Sequence, residues 1–436
     1  MIIELEITGS VKSIPNGQFD GAALLRSIKL GISVETIEDN AFKNCRNLTN
    51  VEFGTSLCNI LNCAFQSCES IHSITLPKTN LTVGQNAFDG CRSLTYVSIP
   101  KEIFSLGGTA FGSCSNIQEV IFEEDVKLSS VPQSCFYECG NLTKINIPST
   151  VTEIGNQAFC LCISLSSITI PNTVKDIGYQ AFQGMPISTF NIPTETTYIG
   201  PNAFTNCSNL VSVTMNQKLE LIEQKLFSQC SSLETITIPN SVKSIGQSAF
   251  WHCVKLTTIK LGTGITTIGN NAFEYSGITS IQLPSSTNRI GNSAFADCSA
   301  LKTFTIEGNT LTSIGIYAFY STAITEITLP SSITTLSGSA FENCVELTKI
   351  NVGSVTTISN SLFSGCSKLS LITLGNSITV IEEYSFVNCY SLTEITLPDA
   401  VQTINKYAFS STGLTTINVG KNIKIIGEYA FYHAQN

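Results

Sequence analysis

The stretch Leu392-Thr-Glu-Ile395-Thr-Leu397-Pro398-Asp-Ala-Val401-Gln-Thr-Ile404-Asn-Lys-Tyr407-Ala408-Phe409 holds almost every spacing that recurs along this chain. Ile395 and Leu397 stand two apart, on one face of a short strand whose other face is Thr or Glu, and Pro398 ends it. Val401 and Ile404 begin a second apolar step, and a small residue then precedes the anchor Phe. Aligning on that phenylalanine gives 19 copies from Phe19 to Phe431, spaced 22 to 25 residues apart, so no interval can hide a linker or an inserted domain. Gly stands four before Phe in ten copies and Ala just before it in 14. These small residues predict a tight corner leading into a short helical turn. No copy can bury its apolar positions alone. They must pack between neighbouring coils, so stability accumulates from stacking and needs many copies.

The residue three after Phe is Cys in 13 copies, Cys45 through Cys389, and the next core Leu or Ile follows three later. Where Cys is replaced, at Met185, Ser276, Thr322 and Thr412, the apolar residue arrives one position sooner, at Ile187, Ile278, Ile324 and Leu414. That covariation marks the Cys as an inward plug, a small hydrophobe with a weak S–H donor. It also predicts that a shortened turn no longer aims the replacement inward. Strands stacked at ~4.8 Å would place equivalent cysteines within disulfide reach, but parallel side chains are poorly aimed at one another, and reduced thiols are the expected state, with Cys58, Cys63 and Cys160 the ones open to reagents in the folded protein.

Over essentially all 436 residues, the unit Leu-x-x-Ile-x-Leu-Pro-x-x-Val-x-x-Ile-Gly-x-x-Ala-Phe-x-x-Cys resembles the BspA-like, Treponema-type class of leucine-rich repeat. The resemblance implies an α/β leucine-rich-repeat solenoid: parallel-β coils with short helical turns, forming one elongated superhelical domain of 19 repeats over 1–436. Members are typically surface antigens or adhesins of mucosal bacteria and of protists such as trichomonads and Entamoeba. A protein partner, from a host surface or extracellular matrix, is therefore expected, with an intracellular scaffold or effector as the alternative.

Charged residues make up 13% of the chain and hydrophobic ones 42%, so Ser, Thr and Asn must dress much of the surface. The net charge of −9 opposes phosphate and argues against nucleic acid as a partner. Met-Ile-Ile-Glu-Leu-Glu-Ile at the start lacks the basic and long apolar regions of a secretory signal. Apolar runs are far shorter than the ~20 residues of a membrane span. Cell-surface placement thus rests on the resemblance, against the absence of a signal.

Position in the repeat also tests for chemistry. His72, His252 and His433 are about eight coils apart, so no two can share a site, and His252 beside Cys253 meets a thiol in the inward phase. Cys58, Cys63, Cys68 and His72 have only a loose metal-site look, because Cys68 is inward as well. Glu123-Glu124-Asp125, at the 25-residue interval, reads as a solvated bulge. The outward threonines, such as Thr235, Thr237, Thr303 and Thr305, suit strands generally, which outweighs a lattice-binding reading. No catalytic residue, cofactor or metal site is expected.

One pattern exceeds what the repeat demands. Tyrosine stands two before the anchor Phe at Tyr317, Tyr384, Tyr407 and Tyr429, with Tyr432 beside Phe431. Tyr384, Tyr407, Tyr429 and Tyr432 form the candidate partner-binding edge, since tyrosine offers contact area with a polar tip; the competing reading is a ladder of rings that stiffens the edge. The chain stops five residues after Phe431, so the last coil is expected to leave an apolar end open to self-association.

Overall fold

The computed structural model describes residues 2–434. The chain packs as two compact units, residues 1–218 and 219–436. Both are built from the same coil, which has a strand of two to four residues, a two-residue strand, and a corner carrying the anchor Phe.

In the first unit the longer strands run parallel, beginning Glu4–Ile7, Ser27–Leu30 and Asn50–Glu52, with Leu5, Ile28 and Val51 in one row. The short strands Ser13–Ile14, Thr36–Ile37, Asn59–Ile60, Thr82–Val83 and Ser105–Leu106 form a second parallel ladder. In the second unit Thr235–Thr237, Thr258–Lys260, Ser280–Leu283 and Thr303–Ile306 stack likewise, beside short strands running from Leu221–Ile222 to Thr335–Leu336. In-register pairing puts like on like, so Ile236 meets Ile259 and Ile245 meets Ile268 inside the coil while the flanking threonines face out.

The anchor phenylalanines form columns of parallel rings: Phe42, Phe65 and Phe88 follow one another at centroid distances of 5.2 and 5.3 Å, and Phe273, Phe295 and Phe319 at 5.3 and 5.4 Å. All six are fully buried. Burying each such side chain contributes roughly 1.5–3 kcal/mol.

The expected helical turn is absent, and the α/β description falls with it: the described residues contain strands and turns only. Hydrogen bonding gives the reason. At the corner around Phe250, the N–H groups of Ser248, Phe250 and His252 donate across to Asn270, Ala272 and Glu274 of the next coil, while those of Ala249, Trp251 and Cys253 donate three residues back. Every second donor is thus spent on a neighbour, so no i→i−4 ladder can form. The alternation requires two left-handed residues per corner, two before and two after Phe, such as Ser248 (φ 54) and His252 (φ 57). Gly at the corner's entrance answers a close approach. A Cβ on Gly246 would lie 2.7 Å from the Ile222 carbonyl oxygen and the Gln224 nitrogen.

Candidate functional site

The left-handed residues before and after each anchor Phe recur at successive corners and line up along one edge. Tyr317, Tyr384, Tyr407 and Tyr429 all occupy the first of these positions, with φ between 55 and 59. The structure brings three of them together. Tyr384 and Tyr407 stack at 5.4 Å and 11°, Tyr407 and Tyr429 at 5.1 Å and 9°. Tyr432 meets Tyr407 at 6.5 Å and Tyr429 at 5.6 Å, both edge-on. Lys406 lies 5.3 Å from the Tyr407 ring centre. Tyr429 is 55% exposed and Tyr432 48%. The four expected residues are therefore one surface, and three of them are also the expected ladder; Tyr317 stands apart, edge-on to Tyr320 at 5.6 Å.

Cysteine positions turn inward as expected. All 13 at the repeat position are buried, and Sγ donates to the anchor Phe carbonyl one coil back at 3.0–3.4 Å, as from Cys68 to Phe42, Cys253 to Phe227 and Cys389 to Phe363. All 17 cysteines carry free thiols. The expectation about their replacements is corrected: Met185, Ser276, Thr322 and Thr412 are buried too. Met185 is itself apolar, and the buried threonine hydroxyls find a partner in the anchor Phe carbonyl of their own coil, not of the coil before. Thr322 Oγ1 donates to Phe319 O at 3.0 Å and Thr412 Oγ1 to Phe409 O at 2.8 Å.

Desolvation pushes the thiol pKa of Cys207 and Cys298 up to about 12 and that of Cys344 to about 11. Cys160, just after Phe159, is 3% exposed rather than open, and burial pushes it up to about 11. A maleimide probe at neutral pH should therefore modify the folded protein at Cys58 and Cys63 and spare Cys160. Denaturation without reductant should expose all 17 thiols, and mass spectrometry reads both numbers.

His252 and Cys253 diverge. The imidazole packs against Trp251 at 4.1 Å and Tyr275 at 4.7 Å, whereas Cys253 Sγ points inward to Phe227 O. Among the described residues no group of three or more His, Cys, Asp or Glu side chains could hold a metal ion, and no helix is long and apolar enough to cross a membrane. Glu123 is more than a solvated bulge, for it pairs with Lys78 at 3.0 Å, two coils back, and this partner holds its carboxyl below the usual range. Beside it lies an open groove of about 690 Å³ lined by Asn80, Lys101, Phe104 and Lys127, among others. Outward threonines do not make a uniform lattice, since Thr237 is followed in register by Lys260. Other threonines are engaged by neighbouring coils. Thr266, Thr312 and Thr348 each donate 3.0 Å to a carbonyl of the preceding coil.

The repeat unit seen in these coils matches the BspA-type leucine-rich repeat region (six copies) at residues 2–128, 129–257, 220–348 and 312–436. The chain belongs to that family. Among solved structures, these BspA-type repeats are similar to a leucine-rich repeat protein from Bacteroides ovatus, at 30% identity over 78% of this chain and 84% of that one, with a TM-score of 0.63. Others are a leucine-rich repeat protein from Eubacterium ventriosum (27% identity, 73% and 83% covered, TM-score 0.43) and a leucine-rich cell surface protein from Faecalibacterium prausnitzii (24%, 74% and 87%, 0.39). No curated protein sequence matches the chain. A BspA-type solenoid is a protein-interaction repeat fold.

Sequence reasoning missed the group around Trp251. Trp251, His252 and Tyr275 come from adjacent corners, and neither the residue after Phe nor the next one follows a consensus. The available signal was the chain's single tryptophan at such a corner.

Proposed function

We propose that this protein is a non-enzymatic binding module of the surface-antigen or adhesin type, which acts as one array of 19 repeats and holds a host or matrix protein on its corner edge. The carrying observation is the stack of Tyr384, Tyr407 and Tyr429 with Tyr432 set edge-on to it. Large, partly exposed rings held in register are pre-organised for a protein surface, and affinity in such interfaces concentrates in a few aromatic residues. The stack stiffens the edge as well, which lowers the entropy lost on binding.

Asn fills the same left-handed position in other corners, at Asn40, Asn86, Asn202 and Asn271, so Tyr384→Asn, Tyr407→Asn and Tyr429→Asn are compatible with the backbone. The triple variant should keep the fold by circular dichroism and lose at least tenfold in affinity for whichever member of an extracellular-matrix panel the parent binds. A folded variant that binds as well as the parent removes the tyrosine edge from the interface. Light scattering on the same pair of proteins checks whether the last coil self-associates.

A second reading, an intracellular scaffold, is favoured by one observation: the 17 thiols are unpaired, as in a reducing compartment. Surface labelling of intact source cells separates the two readings.

A further inference from the structure

A second aromatic group lies on the corner edge of the second unit. Trp251, His252 and Tyr275 follow one another at centroid distances of 4.1 and 4.7 Å, and the pair Tyr317 and Tyr320 continues the edge toward higher residue numbers. Tyr275 is 41% exposed and Tyr317 43%. Carboxylates are set among the rings. Trp251 Nε1 donates to Glu274 Oε2 at 3.1 Å, and Asn271 Nδ2 donates to the same oxygen at 3.0 Å. These bonds fix the indole and orient the carboxylate. The charge of Asp297, then desolvation, a hydrogen bond to that carboxylate and the charge of Glu274 hold the Tyr275 phenol above its ordinary pKa, which reports a negative field at the ring.

The five corners 246–253, 269–276, 291–298, 315–322 and 337–344 contain three carboxylates, Glu274, Asp297 and Glu342, and no lysine or arginine. None of the three makes an ion pair among the described residues, whereas elsewhere Glu195, Glu346 and Asp399 each pair with a lysine of the next coil. Exposed aromatic faces beside uncompensated carboxylates favour a cation, because the ring quadrupole and the charges attract it together. The repeat also supplies a pitch. Successive anchor rings here are 5.1 to 5.4 Å apart, and side chains on one face of an extended peptide recur every ~6.6 Å. A strand laid along this edge therefore brings alternate long side chains within reach of successive corners.

We propose that this edge binds an extended, arginine-bearing segment of a partner protein, with guanidinium groups stacked on Trp251 and Tyr275 and their charge taken by Glu274, Asp297 and Glu342. Arginine is the better fit than lysine because its planar group both stacks on rings and bonds a carboxylate through two N–H groups. The inference rests on the protein-binding reading, but not on the tyrosine stack.

Because Trp251 is the chain's single tryptophan, its emission reports this site alone. The intact protein is titrated with hexa-arginine amide, and with hexa-glutamate as control, while affinity is read in parallel by calorimetry. Hexa-arginine should give a saturable change in Trp251 emission that weakens at 0.5 M salt, and hexa-glutamate none. The pair Glu274→Gln/Asp297→Asn should weaken binding at least tenfold. Glu124→Gln/Asp125→Asn removes the same charge at an exposed loop of the other unit and should change it less than twofold.

If the first pair misfolds, Tyr275→Asn serves in its place, since Asn343 and Asn388 occupy the same corner position. No saturable emission change, or equal loss from both charge pairs, overturns the proposal in favour of diffuse attraction to an acidic chain. Failure here with matrix binding intact leaves the protein-binding reading standing. The reverse result, arginine binding at Trp251 without any protein captured by the panel, overturns the host or matrix partner and keeps the arginine-binding edge.

Discussion

Raising the pH from 8 to 10 in reductant should unfold this protein, with a release of protons far steeper than its few histidines or its exposed tyrosines would give. Fifteen of the 17 cysteines are buried, and for most of them, from Cys68 to Cys389, burial raises the pKa, to about 12 for Cys207 and Cys298 and about 11 for Cys160 and Cys344. An unfolded chain would ionise the same thiols near the ordinary value of about 8.5. The sign follows directly: above about 8.5 the unfolded state has lost protons that the folded state keeps, so stability falls as pH rises. The contribution is fully present below about 8.5, and for Cys344 it is exhausted only above about 11.

Each thiol lowers stability by about 1.4 kcal/mol per pH unit in that window. Three coils unfolding together would lose about 4 kcal/mol per unit, close to the whole stability of many domains. The triple variant Cys344→Ser, Cys366→Ser, Cys389→Ser keeps a donor for each Phe carbonyl and removes the titration. Its alkaline transition, followed by circular dichroism, should be shallower by about three protons and lie at higher pH. A transition that the triple substitution leaves unmoved would show that the thiols do not drive it.

The inward phase of those cysteines was legible in the sequence, as were the Phe columns and the in-register Ile rows, because 19 copies place the same residue type at the same position and a single environment must satisfy them all. The corner was not. Ala-Phe-x-x-Cys suits a helical turn and a run of β-turns equally well, and the choice depends on whether alternate N–H groups bond their own chain or the next coil, a relation no single copy contains. The acceptor that the Phe carbonyl offers is hidden for a related reason, so the shortened turns at Thr322 and Thr412 read as outward although both hydroxyls turn in and bond Phe319 and Phe409 of their own coils.

Cys160 shows a finer limit. The position after Phe is buried at Cys160, Ser228, Ala296 and Ser410 and lies farther out at Ser364, Trp251 and Tyr320. Repeat phase alone does not decide it. The Trp251 group escaped notice on related grounds, since its members are neighbours only once the coils are stacked.

Replacing Phe250 by Ala should cost about 3–5 kcal/mol. The ring is fully buried and stacks between Phe227 at 5.6 Å and Phe273 at 5.2 Å, so the substitution removes transfer energy, opens a cavity and breaks two ring contacts at once. A compact domain would spread that loss over its whole core, but coils contact chiefly their nearest neighbours, and the damage should stay close to its origin. Hydrogen exchange should therefore accelerate at the amides of Ser248, Phe250 and His252, which bond forward to the next coil, and at Phe227, whose N–H bonds to Ala249. Amides around Phe409 should keep their protection. Trp251, directly beside the site, supplies an independent optical signal of the same local loosening. Phe104, 68% exposed, is the control, and its replacement by Ala should cost under about 0.5 kcal/mol. A cost below about 1 kcal/mol at Phe250, or protection lost evenly from one end of the second unit to the other, would mean that the stacked rings do not carry stability coil by coil.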